Sequence, residues 1–257
     1  MSTFTGKLLA SGSNAKTVKG DEASAYLTAI MYLAPHESAG GINVCPMATA
    51  ASCVEGCLNT AGRAAIFATI PEARKRKTRL YRDDRAAFMS ALHNDVSRFV
   101  AWCHRQGRKP AVRLNGTSDI QWERGHSYTV QSANGDSVRH ASIFEAFPEV
   151  TFYDYTKIAA RCSRIPSNYF LTLSYSGASA RYAETVEPMV RSRAANMAVV
   201  FRSKERSARA VSEGWRGFPV VNGDLTDLRF LDPQGGYVVA LYAKGKAKKD
   251  QSGFVVD

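Results

Sequence analysis

The chain predicts an α/β fold, either a partial (β/α) barrel or a mostly parallel sheet, with a small β extension at its C-terminal end. Three observations carry this. Short runs of β-branched and aromatic residues alternate with amphipathic stretches, the pattern of strands joined by crossover helices. The 257 residues can bury a sizeable core. Each predicted strand also runs straight into polar residues at its C-terminal end, the edge where parallel α/β proteins place their sites.

Taken in order, the first twenty residues read as an irregular arm rich in Gly, Ser, Thr and Lys. AYLTAIMYLAP (25–35) suits a strand or a short buried segment, and HESAGG (36–41) a loop. LYRDDRAAFMSALHNDVSRFVAWCHRQG reads as one long helix from residue 80, with Phe88, Leu92, Val96, Phe99 and Cys103 on one face and Gly107 ending it. AVRLNG (111–116), VTFYDYT (150–156), YFLTLSYSG (169–177), MAVVF (197–201) and FPVVNGD (218–224) read as strands. SIFEAFP, SARYAETVEPMVRSRA and KERSARAVSEGW read as helices, the second interrupted near Pro188. YVVALYAKGKAKKD adds a strand and a basic turn. Residues 1–213 form the predicted α/β core, and 214–257 the extension packed on it.

The polar strand ends supply the candidate catalytic residues: Arg113, Asn115 and Asp119 after the first strand of the regular series, and Thr156 and Lys157 after the second. RLNGTSD and YDYTK place charged and amide groups on the strand residues themselves, so a single polar mouth is expected.

NVCPMATAASCVEGCLNTAGR (43–63) holds three of the five cysteines, Cys45, Cys53 and Cys57, spaced C-x7-C-x3-C. No apolar run is long enough for a membrane span or a signal peptide. A reducing cytoplasm is therefore expected, where clustered thiols bind metal more often than they form disulfides. There is no C-x2-C knuckle. Three soft ligands on a loop and a helix start suit three irons of a [4Fe-4S] cluster, with zinc as the alternative. Cys53 and Cys57 share a face if that stretch is helical. His36 and Cys162 are candidates for a fourth ligand, and Cys103 reads as a buried small hydrophobe.

The net charge is +11 and the pI about 9.6, which favours polyanionic partners such as nucleic acid or a nucleotide. EARKRKTRLYR (72–82) is the densest basic run. Its Arg74, Lys75, Arg76, Lys77 and Arg79 can track phosphates while Tyr81 stacks a base. SNAKTVKG and AKGKAKKD add lysines near the two ends of the chain, and the three segments form one positive surface if they converge. Asp224 and Asp227 suit either a magnesium ion or an Asp-stabilised turn. Phosphate-loop, zinc-protease and nucleophile-elbow motifs are absent.

The C-P-x6-C-x3-C stretch, VRLNGTSDIQWE, FYDYTK, PSNYFLTLS and the tail GDLTDLRFLDP…AKGKAKKDQSGFVVD together resemble a bacteriophage family without an assigned reaction, related to the mycobacteriophage "gene product eighty-eight" type. The resemblance covers nearly the whole chain and implies action in the cytoplasm of an infected host cell. The cysteine trio and the RLN…D strand end also resemble those of radical S-adenosylmethionine enzymes, whose barrels surround a three-cysteine cluster. That likeness implies Cys45, Cys53 and Cys57 as cluster ligands. The spacing departs from the usual C-x3-C-x2-C, Gly56 stands where an aromatic residue precedes the last cysteine, and no Gly-Gly-Glu element follows. S-adenosylmethionine is thus the least supported cofactor. The expected function is a phage iron–sulfur protein that acts on or binds nucleic acid or a nucleotide, its catalytic form a divergent radical or other iron–sulfur enzyme. The alternative is a nucleic-acid-binding replication or host-takeover module with a structural metal and no catalysis.

Overall fold

A computed structural model describes residues 6–12, 15–57, 64, 66–132 and 134–257. The chain opens with β1 (Leu9–Ser11), α1 (Ala15–Glu22) and β2 (Tyr26–Met31). Two helices follow, α2 (Thr69–Asp83) and α3 (Arg85–Arg105), then β3 (Lys109–Arg113). A hairpin of β4 (Tyr128–Gln131) and β5 (Ser137–His140) leads to α4 (Ile143–Ala146). The remainder alternates: β6 (Thr151–Thr156), β7 (Tyr169–Ser174), α5 (Ala180–Arg191), β8 (Asn196–Phe201), α6 (Lys204–Glu213), β9 (Val220–Asn222) and β10 (Val238–Tyr242).

Eight strands form one sheet in the order β1-β2-β3-β6-β7-β8-β10-β9. Every pair is parallel except β1–β2. The sheet is open, not a closed barrel. The residues expected as a C-terminal extension supply two of its strands, with β10 lying directly against β8.

Alternation along each strand separates two faces. Phe88, Leu92 and Val96 of α3 pack on Ala29, Val112 and Phe152. Tyr182, Val186 and Val190 of α5, with Ala210 of α6, pack on Leu173, Met197, Val199 and Ala240. The register pairs Val112 with Phe152, Leu173 with Met197 and Met197 with Val238. These helices therefore all cover the same face. Arg113, Tyr153, Tyr155, Ser174, Ala198, Val200 and Leu241 point the other way. That face is covered by the segment between β9 and β10, where Leu228 and Phe230 pack on Ala111 and Tyr153. Parallel sheets need such cover on both faces.

Three expectations change. The single helix from residue 80 is two helices. Asp84 leaves the helical conformation (φ −143°) and caps α3, its Oδ1 accepting from Ala87 N at 2.9 Å. α5 runs through Pro188 and ends at Arg191, because buried Val186 and Val190 on either side of the proline hold it to the sheet. The β4–β5 hairpin carries its own signal, Asn134-Gly135, with Gly135 at φ +86°.

Candidate functional site

At the C-terminal ends of the parallel strands lies a cavity of about 350 Å³. Its lining includes Arg113, Asn115, Asp119, Thr156 and Lys157, the five strand-end residues read from the sequence, and also Cys45, Cys53 and Cys57. Ala198, Val200 and Leu241 line it from β8 and β10, and Lys244, Ala247 and Phe254 from the tail.

The cysteine segment is pinned across the strand ends by backbone bonds. Asp119 N donates to Val44 O (2.8 Å) and Ser176 Oγ to Ala51 O (2.7 Å). Ser252 Oγ donates to Ser52 O (3.2 Å). The loop after β3 follows the same edge. Gly116 N donates to Met31 O, and a Cβ on Gly116 would lie 2.6 Å from that oxygen. Only glycine allows this approach. The stretch from Cys53 to Cys57 is a series of turns, not the expected helix start. Cys57 N bonds to Val54 O and Ser52 has φ +50°.

Two of the predicted catalytic residues serve as scaffold. Asn115 Oδ1 accepts from Ser118 Oγ, Ile120 N and Trp122 Nε1, and its Nδ2 donates to Ile120 O and Asp154 Oδ2. The amide has no capacity left for a ligand. Thr156 Oγ1 donates to Asp119 Oδ1 and accepts from Ile158 N and Arg161 Nη1. Asp119 also accepts from Lys157 N (2.8 Å) and from Arg161 Nη1 (2.6 Å). Arg161, 2% exposed, is gripped from behind by both oxygens of Glu123 at 2.9 Å. Sequence reading missed Arg161 and Glu123. They lie 38 residues apart, and no local spacing signals their pairing.

Lys157, Arg113 and Lys244 are the cations among the cavity's lining residues. Lys157 Nζ donates to Ser174 Oγ (2.7 Å) and lies 4.9 Å from the centre of the Phe254 ring. Burial pushes its pKa down, while Cys53, Asp119, Cys57 and Cys45 favour the charged form. Arg113 Nη1 donates to Asp227 Oδ2 (3.0 Å), and its guanidinium lies over the Tyr155 ring at 4.7 Å. The Asp224 carboxylate accepts from Tyr242 N and Lys244 Nζ, and Asp224 N donates to Asn222 Oδ1. These bonds give Asp224 the turn role.

Burial, with Cys57, Asp119 and Cys53 as neighbouring charges, raises the Cys45 thiol to about 12. Cys53 is raised too, with Lys157 opposing. Among the described residues, no three His, Cys, Asp or Glu side chains are drawn together as a ready metal site. The three thiols share a cavity wall, not a point. The donor set still suits a soft cation: three half-buried sulfurs and an open side. His36 instead meets Thr49 Oγ1 (3.4 Å), Cys162 packs against the α5–α6 core, and neither lines the cavity. Cys103 is fully buried, as expected.

The basic run forms the exposed side of α2, with corrections. Tyr81 is 5% exposed and cannot stack a base. It sits edge-on to Phe88 and Trp122, and its hydroxyl meets His126 Nε2 at 2.9 Å. Lys77 Nζ is spent on Leu8 O (2.8 Å), and burial lowers its pKa to about 8. Arg74 lies over Tyr32 and feels Cys57 electrostatically, so the cysteine end of α2 approaches the cavity. Lys75 pairs with Glu72 (2.8 Å), and Arg79 Nε bonds to Ala39 O (3.4 Å). Arg76 and Arg79 are exposed. The three lysine-bearing segments do not meet at one edge. Lys244 reaches the cavity, whereas α1 ends at the opposite edge, where Arg108 binds the carbonyls of Ser24 and Tyr26. Residues 13 and 14 of the first segment lie outside the described residues.

A family model described as Gene product 88 matches residues 7–257. The chain belongs to the Gene product 88 family. No curated protein and no solved structure matches it. In this member of the Gene product 88 family, none of the described helices is long and apolar enough to cross a membrane.

Proposed function

We propose that this protein is a phage iron–sulfur protein whose Cys45, Cys53 and Cys57 hold a [4Fe-4S] cluster, with a ligand of nucleotide size or a nucleic-acid end entering the cavity beside it. The observation that carries this is the placement of all three thiols, with Lys157, on the wall of the cavity at the C-terminal strand ends. Crossover helices on one face and a site at that edge are the logic of a partial (β/α) barrel. Such a cluster supplies electron transfer and a Lewis-acidic iron when bound.

The chain's own residues have definable roles. With pKa values raised by burial, the Cys45 and Cys53 thiols keep their protons until a metal displaces them, so loading releases protons. Lys157 offsets the negative charge of the thiolates from a position fixed by Ser174 and, through its backbone, by Asp119. Arg113 presents a cation to the deep end. Phe254 and Ala247 bring the tail over the cavity and restrict water.

A second reading is a nucleic-acid-binding module with structural zinc at the same thiols. The exposed Arg76 and Arg79 on α2 favour it. Iron, sulfide and zinc content after anaerobic purification, on the native chain and on Cys45→Ala, Cys53→Ala and Cys57→Ala, tests both. About four irons and four sulfides per chain, lost in each variant, support the cluster. One zinc per chain supports the module.

A further inference from the structure

The half of the cavity formed by β8, β10 and the tail is apolar, and the cluster does not use it. Ala198, Val200 and Leu241 point into it from the sheet. The register sets Val200 beside Leu241 and Ala198 beside Ser174, so these side chains form one continuous floor. Val200 and Phe254 pack against Ala243, Ala247 and Val255, which carries the apolar surface from the strands onto the tail. Val200, Leu241 and Phe254 are half-buried, so each keeps surface that a guest can reach. Such a floor is wet until a guest covers it, and covering it is favourable in proportion to the apolar area removed from water.

A carboxylate stands at the edge of this floor. Asp224 follows the end of β9, lines the cavity, and its side chain is 15% exposed. Its Oδ1 accepts from Lys244 Nζ (2.8 Å) and its Oδ2 from Tyr242 N (3.1 Å). A carboxylate oxygen has room for two donors, so each keeps one acceptor position. Two acceptor positions on one firmly held carboxylate match the two hydroxyls of a vicinal diol. An acid beyond a parallel strand end holds a ribose hydroxyl in dinucleotide-binding folds by the same chemistry. Lys244 balances the charge of Asp224, so this end favours a neutral guest over an ion. A sugar alone would leave the floor wet. A hydrocarbon would strip water from Asp224 and give it no donor. A flat ring bearing a sugar satisfies both.

We infer that this half of the cavity is a nucleoside subsite, with the base lying on Ala198, Val200 and Leu241 and the sugar hydroxyls donating to Asp224. This rests on the proposed reading of the cavity as the ligand site, and it names the class of ligand. The subsite adjoins the cysteine segment, because Gly56 lies against the Phe254 ring, where a Cβ would come within 3.3 Å of a ring carbon. It does not depend on which metal the thiols hold.

The test uses the full chain, purified anaerobically, and calorimetric titration with adenosine, guanosine, cytidine, uridine and ribose. At least one nucleoside is expected to bind about 10-fold or more tighter than ribose, the effect of an apolar ring leaving water. The 2′,3′-dideoxy form of that nucleoside is expected to bind about 10-fold more weakly than the nucleoside itself, the scale of hydrogen bonds to a charged group. Asp224→Asn, which keeps the shape and removes acceptor capacity, is expected to erase most of that difference. Val200→Trp, which fills the space above the floor, is expected to abolish nucleoside binding. Urea denaturation shows whether each variant folds, and where one does not, the comparisons on the native chain decide. Binding of none of the four nucleosides, ribose binding as tightly, a dideoxy form binding as tightly as its parent, or binding that survives Val200→Trp in the folded variant would overturn the inference. Iron and sulfide measured on the same samples report the cluster separately. Nucleoside binding without iron would keep the subsite and overturn the cluster, and iron without nucleoside binding would do the reverse.

Discussion

Arg161 Nη1 lies 2.6 Å from Asp119 Oδ1, and through that contact a fully buried guanidinium orders one rim of the cavity. The same carboxylate receives the Thr156 hydroxyl and the Lys157 backbone N–H. The loop after β3 and the loop after β6 are thereby locked together. Arg161→Met should leave Asp119 and Glu123 buried without their cation, at a cost of about 3–5 kcal/mol. Urea denaturation measures it. A cost below about 1 kcal/mol would class the pair with exposed ion pairs.

Asp154 gives the fold an unusual pH dependence. It is fully buried on the helix-covered face, and burial raises its carboxyl to about 7, against the opposing pull of Arg113. The folded pKa lies above the unfolded one, so between the two the folded state binds more protons. Its contribution is full below the unfolded carboxyl pKa and is lost as pH rises through about 7. Asp154→Asn should remove this slope, which reaches at most about 1.4 kcal/mol per pH unit. Stability curves of both proteins between roughly pH 4 and 8 should converge or cross, not run parallel.

The thiols should be slow nucleophiles before metal is bound. Cys45 is raised to about 12 and Cys103 to about 11, both mainly by burial. In chelator-treated protein at neutral pH, iodoacetamide should modify Cys45 at least about 10-fold more slowly than a free cysteine of pKa about 8.5. The rate should climb with pH past the free thiol's plateau. Peptide mass spectrometry reads each site separately. A Cys45 rate equal to that of free cysteine would show that its thiol is not desolvated.

Much of this was legible in the sequence for physical reasons. VTFYDYT and YFLTLSYSG are too short and too rich in β-branched and aromatic residues for helices. Parallel strands, in turn, send Arg113, Asp119 and Lys157 to one edge. The cysteine spacing marked its segment, although the turns between Cys53 and Cys57 depend on Ser52 and on bonds to distant loops. Long-range relations were not legible. The burial of Tyr81 is decided by Trp122 and His126, more than forty residues away. The saturation of Asn115 depends on Asp154 from the neighbouring strand. The break at Asp84 was readable in RDDR, since an Asp before a new apolar period is an N-cap signal.

The exposed side of α2 makes a separable prediction about polyanions. If α2 contacts nucleic acid, Arg76→Ala and Arg79→Ala should each reduce the slope of log affinity against log salt by about 1. Tyr81→Phe should leave that slope unchanged and lower stability by about 1–2 kcal/mol through the lost bond to His126. Fluorescence anisotropy with a labelled oligonucleotide at several salt concentrations resolves the two effects. A slope that Arg76 and Arg79 do not move would take α2 out of the interface.

The central claim is a cluster held by three cysteines with one iron left to a ligand, and Mössbauer spectroscopy of protein loaded anaerobically with iron-57 tests it most directly. The account predicts a [4Fe-4S] spectrum in which one iron is distinct from the other three and shifts when a cavity ligand is added. Cys53→Ala should abolish it. A protein that takes up zinc but no iron, or whose spectrum survives Cys53→Ala unchanged, would contradict it.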